Sequence, residues 1–199
     1  NSISDTIYYQ NLVKAAELDF EPAIAELVRW YIFYSDTTLY SQEMIDFSIK
    51  KLEKCRNNTP IDELEAYSTE GLIGAYNCHW MYAKLLTDGI FYDQDLNEAI
   101  SIFRWLAGRN HPEADYELSR IYCAYTSSSD KNYNQSKLFL EKAISEIGHF
   151  NFYVEKYERL INGYCGYDQD ILKAQEFLNL IASYFPDLDE AKWFYSYNM

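Results

Sequence analysis

The sequence predicts an all-α protein made of antiparallel helix pairs that stack side by side as repeats. Apolar residues recur at helical spacing through most of the chain, whereas strand-like alternation is scarce. The 4 prolines and most of the 7 glycines fall at or near the ends of these helical segments. The tetrapeptide YDQD occurs at residues 92–95 and again at 167–170. Regular self-similarity of this kind is typical of repeat architectures.

The similarity between the two YDQD copies extends into their flanks. YAKLLTDGIFYDQDLNEAISIFRWLA begins at Tyr82, and YERLINGYCGYDQDILKAQEFLNLIA begins at Tyr157, so they align without a gap 75 residues apart. A second pair, KAAELDFEPAIAELVRWY from Lys14 and WLAGRNHPEADYELSRIY from Trp105, shares a turn, a proline and the pattern A-x-x-x-L-x-x-x-Y. These matches predict about four repeats of about forty residues, with half-repeats at both ends.

Helical periodicity and the turn residues between segments predict ten helices joined by short turns. The predicted helices cover residues 4–18, 21–34, 41–57, 62–87, 95–108, 112–125, 133–147, 150–163, 170–183 and 188–197. The polar insertion TSSSDKNYN at residues 126–134 predicts a longer exposed turn. One domain is expected to include all of residues 1–199.

YDQD is interpreted as the loop and helix cap inside a helical hairpin. Asp95 stands three residues before Glu98, which is the spacing of a capping box: the aspartate accepts a free amide and the glutamate reaches back. Asp170 repeats the cap without the glutamate. Tyr92 and Tyr167 are expected to pack the turn against the hairpin. A calcium loop is excluded, since the required glycine and distal glutamate are missing.

The composition favours a protein partner. The formal net charge is −14 and the isoelectric point is about 4.5, which argues against nucleic acid and anionic membranes. A basic protein partner is favoured, although an acidic surface also serves solubility alone. No apolar run approaches the roughly 20 residues of a membrane helix. Because residue 1 is Asn rather than Met, the chain is expected to begin inside a longer or processed precursor.

The four cysteines are interpreted as reduced, mostly buried thiols. Cys55, Cys78, Cys123 and Cys165 show no C-x-x-C spacing, so zinc is not expected, and a disulfide framework is the weaker alternative. No catalytic serine motif, phosphate loop or metalloprotease motif occurs. We therefore expect a non-enzymatic protein without cofactor or metal.

The repeated segments carry a resemblance to a known family. They resemble the Sel1-like repeat, a relative of the tetratricopeptide repeat. The shared features are the pattern A-x-x-x-L-x-x-x-Y, then a turn and an Asp, then K/E-A, and finally an apolar helix that ends in L-A. KAAELDFEPAIAEL, from Lys14, is the best single match, and the resemblance covers nearly the whole chain. It implies a right-handed α-solenoid whose first helices line a concave groove. The small residue usual after the leucine is Ala83 or Ser119 in two repeats, but Val28 or Glu158 in the others.

The resemblance also implies a binding register on the first helices. Each first helix carries one cation in this register, and four residues earlier stands a second position that, in family members, faces the groove with it. The cations are Arg29, Lys84, Arg120 and Arg159, and the earlier positions are Ala25, Trp80, Tyr116 and Glu155. We call the four cations the cation column. It is predicted to hold a carboxylate-bearing peptide or helix. Salt bridges to Glu26, Glu117 or Glu155 are the alternative.

Two functions remain open at this point. Proteins with this repeat serve as adaptors, as bacterial scaffolds and as neutralisers of secreted toxins. A small acidic chain without a second domain is most similar to a toxin-neutralising immunity protein, expected as a monomer in the bacterial cytoplasm or periplasm. Its partner would be a basic toxin or effector, held through charge complementarity. The alternative is an adaptor that captures a peptide in the groove.

Overall fold

The structure is a computed structural model that describes residues 3–33, 42–61, 69–111, 113–125 and 130–189. Within these ranges the regular secondary structure is helical and no strand occurs. The described α-helices are α1 (Ile3–Glu17), α2 (Glu21–Phe33), α3 (Gln42–Asn58), α4 (Thr69–Asp88), α5 (Leu96–Ala107), α6 (Ala114–Ala124), α7 (Asp130–Glu146), α8 (Phe150–Asn162) and α9 (Ile171–Tyr184). The predicted all-α class is confirmed.

Nine of the ten predicted helices correspond to α1–α9 in order. The predicted helix at 188–197 and the start of the predicted helix at 62–87 lie largely outside the described residues. The prediction of a long turn at 126–134 is wrong in its second half, because α7 already begins at Asp130. Asn134 is exposed and Tyr133 is half-buried. The polar residues there mark the solvent side of a helix rather than a loop.

The chain forms two compact units, Asn1–Ile102 and Phe103–Met199, which are described separately. In the first unit, α2 packs against α1, α3 and α4. Its core includes Leu27, Val28, Leu52, Met81 and Leu85. A disulfide between Cys55 and Cys78 joins α3 to α4.

In the second unit, the side-chain bonds show that consecutive helices are antiparallel. Between α6 and α7, Lys142 pairs with Asp115 at 2.7 Å, while Ser119 and Ser136 exchange hydrogen bonds with each other's carbonyl oxygens at 2.8 and 2.7 Å. From one bonded pair to the next, the residue number rises along α6 and falls along α7, as it does in an antiparallel pair. A disulfide joins Cys123 of α6 to Cys165 in the turn between α8 and α9. The core of this unit contains Leu140, Ala143, Phe152, Tyr153, Tyr157, Leu160, Tyr167, Ala174, Leu178 and Ile181.

The interpretation of the cysteines as reduced thiols is wrong, because all four are paired. Their sequence separations are 23 and 42. Each pair forms because helix packing brings distant positions together: the Cα atoms are 6.4 Å apart in the first bridge and 5.2 Å apart in the second. Both values lie in the range that a disulfide spans. Spacing along the chain does not reveal such proximity.

The YDQD motif begins the second helix of a hairpin in both units. Asp95 Oδ1 accepts the Glu98 amide at 2.9 Å, and Asp170 Oδ1 accepts the Lys173 amide at 3.0 Å. The predicted aspartate caps are confirmed. The predicted return bond from Glu98 is wrong, because the Asp95 amide instead donates to the Leu86 carbonyl at 3.2 Å. The preceding helix end has already satisfied that amide.

The other YDQD residues bind neighbouring elements. The Gln94 side chain donates to the Thr87 carbonyl at 2.8 Å, and Gln169 donates to that of Ile161 at 3.0 Å, so each glutamine caps the preceding helix. Each tyrosine hydroxyl donates to a glutamate of an earlier helix: Tyr92 to Glu53 at 3.1 Å and Tyr167 to Glu141 at 2.8 Å. The remaining members, Asp93 and Asp168, are exposed.

Candidate functional site

The cation column is divided between the two units. Arg29, Lys84 and the neighbouring Trp80 lie in the first unit. Arg120 and Arg159 lie in the second, with Tyr116 and Glu155. Two of the four cations are partly exposed and two are buried.

In the first unit, α2 and α4 bring two predicted site residues together. The Arg29 guanidinium lies 5.2 Å from the centroid of the Trp80 ring, a cation–π distance. Arg29 is also 4.0 Å from Glu26 on its own helix. Its side chain remains 37% exposed, while Trp80 is 6% exposed. The arginine can therefore be reached from solvent, with the indole as its inner wall.

Lys84 does not present its ammonium group at the surface. The residue is 3% exposed, and its Nζ lies 2.6 Å from Asp88 on the next turn of α4. Every residue from 78 to 87 is buried, so this part of α4 is covered on all sides. Position along a helix predicts which side chains are exposed only if one side of the helix faces solvent, and this part of α4 has no such side. The prediction that Lys84 is accessible to a partner is therefore wrong in this structure.

Arg159 is the second buried cation, with 0% exposure. Its Nε donates to Glu155 Oε1 and its Nη1 donates to Ser136 Oγ, both at 2.8 Å. Its Nη2 is buried without a hydrogen-bond partner in the described part of the chain. Arg159 and Glu155 thus form an internal ion pair, as the salt-bridge alternative predicts, and Arg159 is not accessible to a peptide.

Tyr116 and Arg120 form the accessible part of the column in the second unit. Tyr116 is half-buried and stacks on Phe152 with ring centroids 4.5 Å apart. Burial, followed by the negative charge of Glu155, raises the pKa of Tyr116 to about 12, so its hydroxyl stays protonated at neutral pH. Arg120 Nη1 lies 3.1 Å from Glu117, and its side chain is 36% exposed.

Several exposed carboxylates make no ion pair with any described residue. This feature was missed by the sequence reasoning, although two of its members, Asp93 and Asp168, stand at the same position of YDQD. Burial, followed by the charge of Glu155, raises the pKa of Glu158. We call these carboxylates the open acids: Glu17, Glu43, Asp93, Glu158, Asp168, Glu176 and Asp187.

The histidines have structural environments. His79 is buried and lies 2.7 Å from the Thr59 carbonyl, and burial lowers its pKa. His149 accepts the Asn151 amide at the start of α8. No group of three His, Cys, Asp or Glu side chains in the described ranges is placed to hold a metal ion. None of the described helices combines the length and apolar character needed to cross a membrane.

No family model matches the chain, and no curated protein matches it. Among solved structures, it is similar to the crystal structure of a Sel1 repeat protein from Oxalobacter formigenes, with 18% sequence identity and a TM-score of 0.44. The match covers 90% of this chain and 56% of that protein, so this chain spans little more than half of its length. That protein carries the repeat that the duplicated segments of this chain resemble.

Proposed function

We propose that this chain is a non-enzymatic protein-binding module that holds a basic partner through its acidic surface. In its more specific form, the proposal is that the chain is an immunity protein that neutralises a basic toxin. The single observation that supports binding through the acidic surface is a difference in ion pairing between the cation column and the open acids. The cation column is paired internally, whereas the open acids make no ion pair with described residues.

Charge complementarity gives this contrast a function. A net charge of −14 attracts a basic protein from a distance and raises the rate of encounter. An exposed carboxylate without an internal partner gains a counter-ion on binding, and no existing pair has to break. The buried pairs of Lys84 and Arg159, by contrast, would need to be separated and exposed before they could bind a peptide carboxylate.

The test compares two sets of substitutions. The partner is captured from the source cell, purified again and titrated by calorimetry against the wild type and two variants. In one variant, Asp93→Asn, Asp168→Asn and Glu158→Gln remove open acids. In the other, Arg29→Gln and Arg120→Gln remove the accessible cations. We expect the acid variant to bind about tenfold more weakly and with a shallower salt dependence, while the cation variant stays within about twofold of the wild type.

An adaptor that captures a carboxylate-bearing peptide is the second candidate. It is supported by the partial exposure of Arg29 beside Trp80 and of Arg120 beside Tyr116. The adaptor function requires the reverse result, with binding lost in the cation variant and kept in the acid variant. Full binding by both variants would overturn both candidates. The immunity role additionally requires that co-expression of the chain protects cells from the captured partner.

A further inference from the structure

A lysine-lined groove in the second unit is separate from the cation column. It lies among α7, α8, α9 and the YDQD turn, and its volume is about 480 Å³. Three lysines reach it from three different helices, and aromatic and acidic side chains lie between them. Its lining includes Lys137, Glu141, Lys156, Tyr167, Lys173 and Phe177. We call it the lysine groove.

Two of the lysines lie against aromatic rings. The ammonium of Lys137 is 4.9 Å from the Tyr167 ring centroid, and that of Lys156 is 4.7 Å from the Phe177 ring centroid. These distances place both ammonium groups within reach of the electron-rich faces of the rings. The groove therefore combines apolar walls with positive charge.

The charges in the lysine groove are unevenly matched. Both carboxylate oxygens of Glu141 have a partner: Oε1 accepts the Tyr167 hydroxyl at 2.8 Å, and Oε2 pairs with Lys156 at 2.7 Å. Lys173 is 70% exposed and pairs at 3.2 Å with Asp170, the carboxylate that also caps α9. Lys137 contacts a ring but no carboxylate among the described residues. Lys137 and Lys173 are thus the cations with capacity for a further anion.

The first unit has a carboxylate at the position that corresponds to Lys173. In the alignment that superposes the two YDQD copies, Glu98 occupies the position of Lys173. The Glu98 carboxylate lies 3.8 Å from Arg56 Nη1, and Arg56 in turn stacks 4.1 Å from the Tyr82 ring centroid. An internal carboxylate and cation therefore join α3 to α5 in the first unit.

The second unit lacks both halves of this bridge. If α3 and α7 are aligned on Glu53 and Glu141, which bind the two YDQD tyrosines, the counterpart of Arg56 is Ile144. With Lys173 in place of Glu98, the second unit has a cation where the first has an anion. Among the described residues, Lys173 pairs only with the capping carboxylate of Asp170, and its 70% exposure leaves room for a second carboxylate from a partner.

We propose that the lysine groove binds an acidic side chain of a protein partner, whose carboxylate supplies the negative charge that Glu98 gives to the first unit and Lys173 does not give to the second. Lys137 and Lys173 pair with this carboxylate, and an apolar neighbour in the partner's peptide packs on Phe177. Glu176 also lines the groove and is exposed, so it disfavours peptides with several adjacent acids. The groove selects one carboxylate flanked by apolar residues.

The test uses a defined peptide, because it does not require the natural partner. The probe is a fluorescein-labelled hexapeptide with one Glu between Phe and Leu, its remaining positions Gly or Ser and its terminus amidated. Binding is measured by fluorescence anisotropy. We expect saturable binding that weakens at least tenfold when the peptide's Glu is replaced by Gln. Equal binding of both peptides would overturn the proposal.

Variants of the protein provide the second arm. Lys137→Gln combined with Lys173→Gln should weaken binding at least tenfold, and Lys173→Glu, which restores the residue type of the first unit, should weaken it further. The matched control is Lys50→Gln combined with Lys54→Gln on α3, which removes the same charge from exposed positions of the first unit. The proposal is wrong if the control variant loses as much affinity as the groove variant.

This proposal is independent of the acidic-surface function. The lysine variants leave Asp93, Glu158 and Asp168 intact, and the acid variant leaves the lysine groove intact. Loss of a basic partner in the acid variant therefore says nothing against the groove, and failure of the hexapeptide to bind says nothing against the acidic surface.

Discussion

Arg159 shows how a single side chain can be misassigned by its register. A guanidinium at 0% exposure loses its hydration, and it is tolerated because Glu155 and Ser136 accept its N–H groups. Ser136 also bonds to Ser119, so Arg159 links α8 to α7 and, through the two serines, to α6. In this unit the residue acts as an internal connector.

Replacement of Arg159 by alanine should destabilise the protein strongly. The change leaves Glu155 and Ser136 without their partner, and breaking a buried pair typically costs about 3–5 kcal/mol. Arg29→Ala is the matched control, because it removes an arginine of the same register whose pair with Glu26 is partly exposed on both sides, and its loss should stay below about 1 kcal/mol. Urea denaturation gives both free energies of unfolding. Similar losses in the two variants would show that burial does not distinguish them.

The cap at Asp170 should make part of the stability depend on pH. The Lys173 amide, followed by the Lys173 side chain, lowers the pKa of Asp170 below its ordinary value of 3.8. A carboxyl group with a lowered pKa in the folded state stabilises the protein fully above its unfolded pKa, and this contribution is lost as the pH falls through the folded pKa. The advantage of the wild type over Asp170→Asn should therefore be constant from pH 5 to 7 and shrink below about pH 4. A difference that grows on acidification would contradict the assignment.

The YDQD turn is the element that both units build in the same way. Its tyrosine binds a glutamate of an earlier helix, its glutamine caps the helix before it, and its last aspartate caps the helix after it. The glutamine and aspartate bonds join residues close together in the chain, whereas the tyrosine bonds reach glutamates 39 and 26 residues earlier. In the second unit the turn is also tied to α6 by the bridge between Cys123 and Cys165.

Removal of the bridge between Cys123 and Cys165 should lower the free energy of unfolding, because the unfolded chain then gains conformational entropy. A disulfide that closes a separation of 42 residues is expected to contribute about 4 kcal/mol in the chain-entropy model, and one that closes 23 residues slightly less. We therefore expect Cys123→Ser with Cys165→Ser to lose about as much as Cys55→Ser with Cys78→Ser. Thermal unfolding measures the losses. Mass spectrometry after alkylation in denaturant without reductant gives the control, because unfolding exposes any buried thiol, and four alkylated cysteines would refute both bridges.

In the chain as a whole, acidic residues outnumber basic ones, and among the described cations only Lys84 and Arg159 are buried. The net charge of −14 implies self-repulsion, which favours expansion of the chain and which salt screens. The buried pairs of Lys84 and Arg159 are screened much less, because solvent does not reach them.

Salt should therefore stabilise this protein at neutral pH. Raising NaCl from 0.05 to 0.5 M is expected to increase the free energy of unfolding by about 1 kcal/mol, which corresponds to a rise of about 2–4 °C in Tm. The variant with Asp93→Asn, Asp168→Asn and Glu158→Gln is the control and should respond less, since it carries less excess charge. A fall in Tm with salt would indicate that ion pairs, and not repulsion among acids, dominate the electrostatic stability.

The residues alone predict the helices, their order, the repeated turn and the aspartate caps at Asp95 and Asp170. These features depend on residues close together in the chain, so periodicity and spacing reveal them. The tertiary structure decided the burial of Lys84 and Arg159, the pairing of the four cysteines and the convergence of Lys137, Lys156 and Lys173 on one groove. Each of these depends on which helix faces meet, and side chains brought together from helices distant in sequence leave no local pattern in the residues that join them.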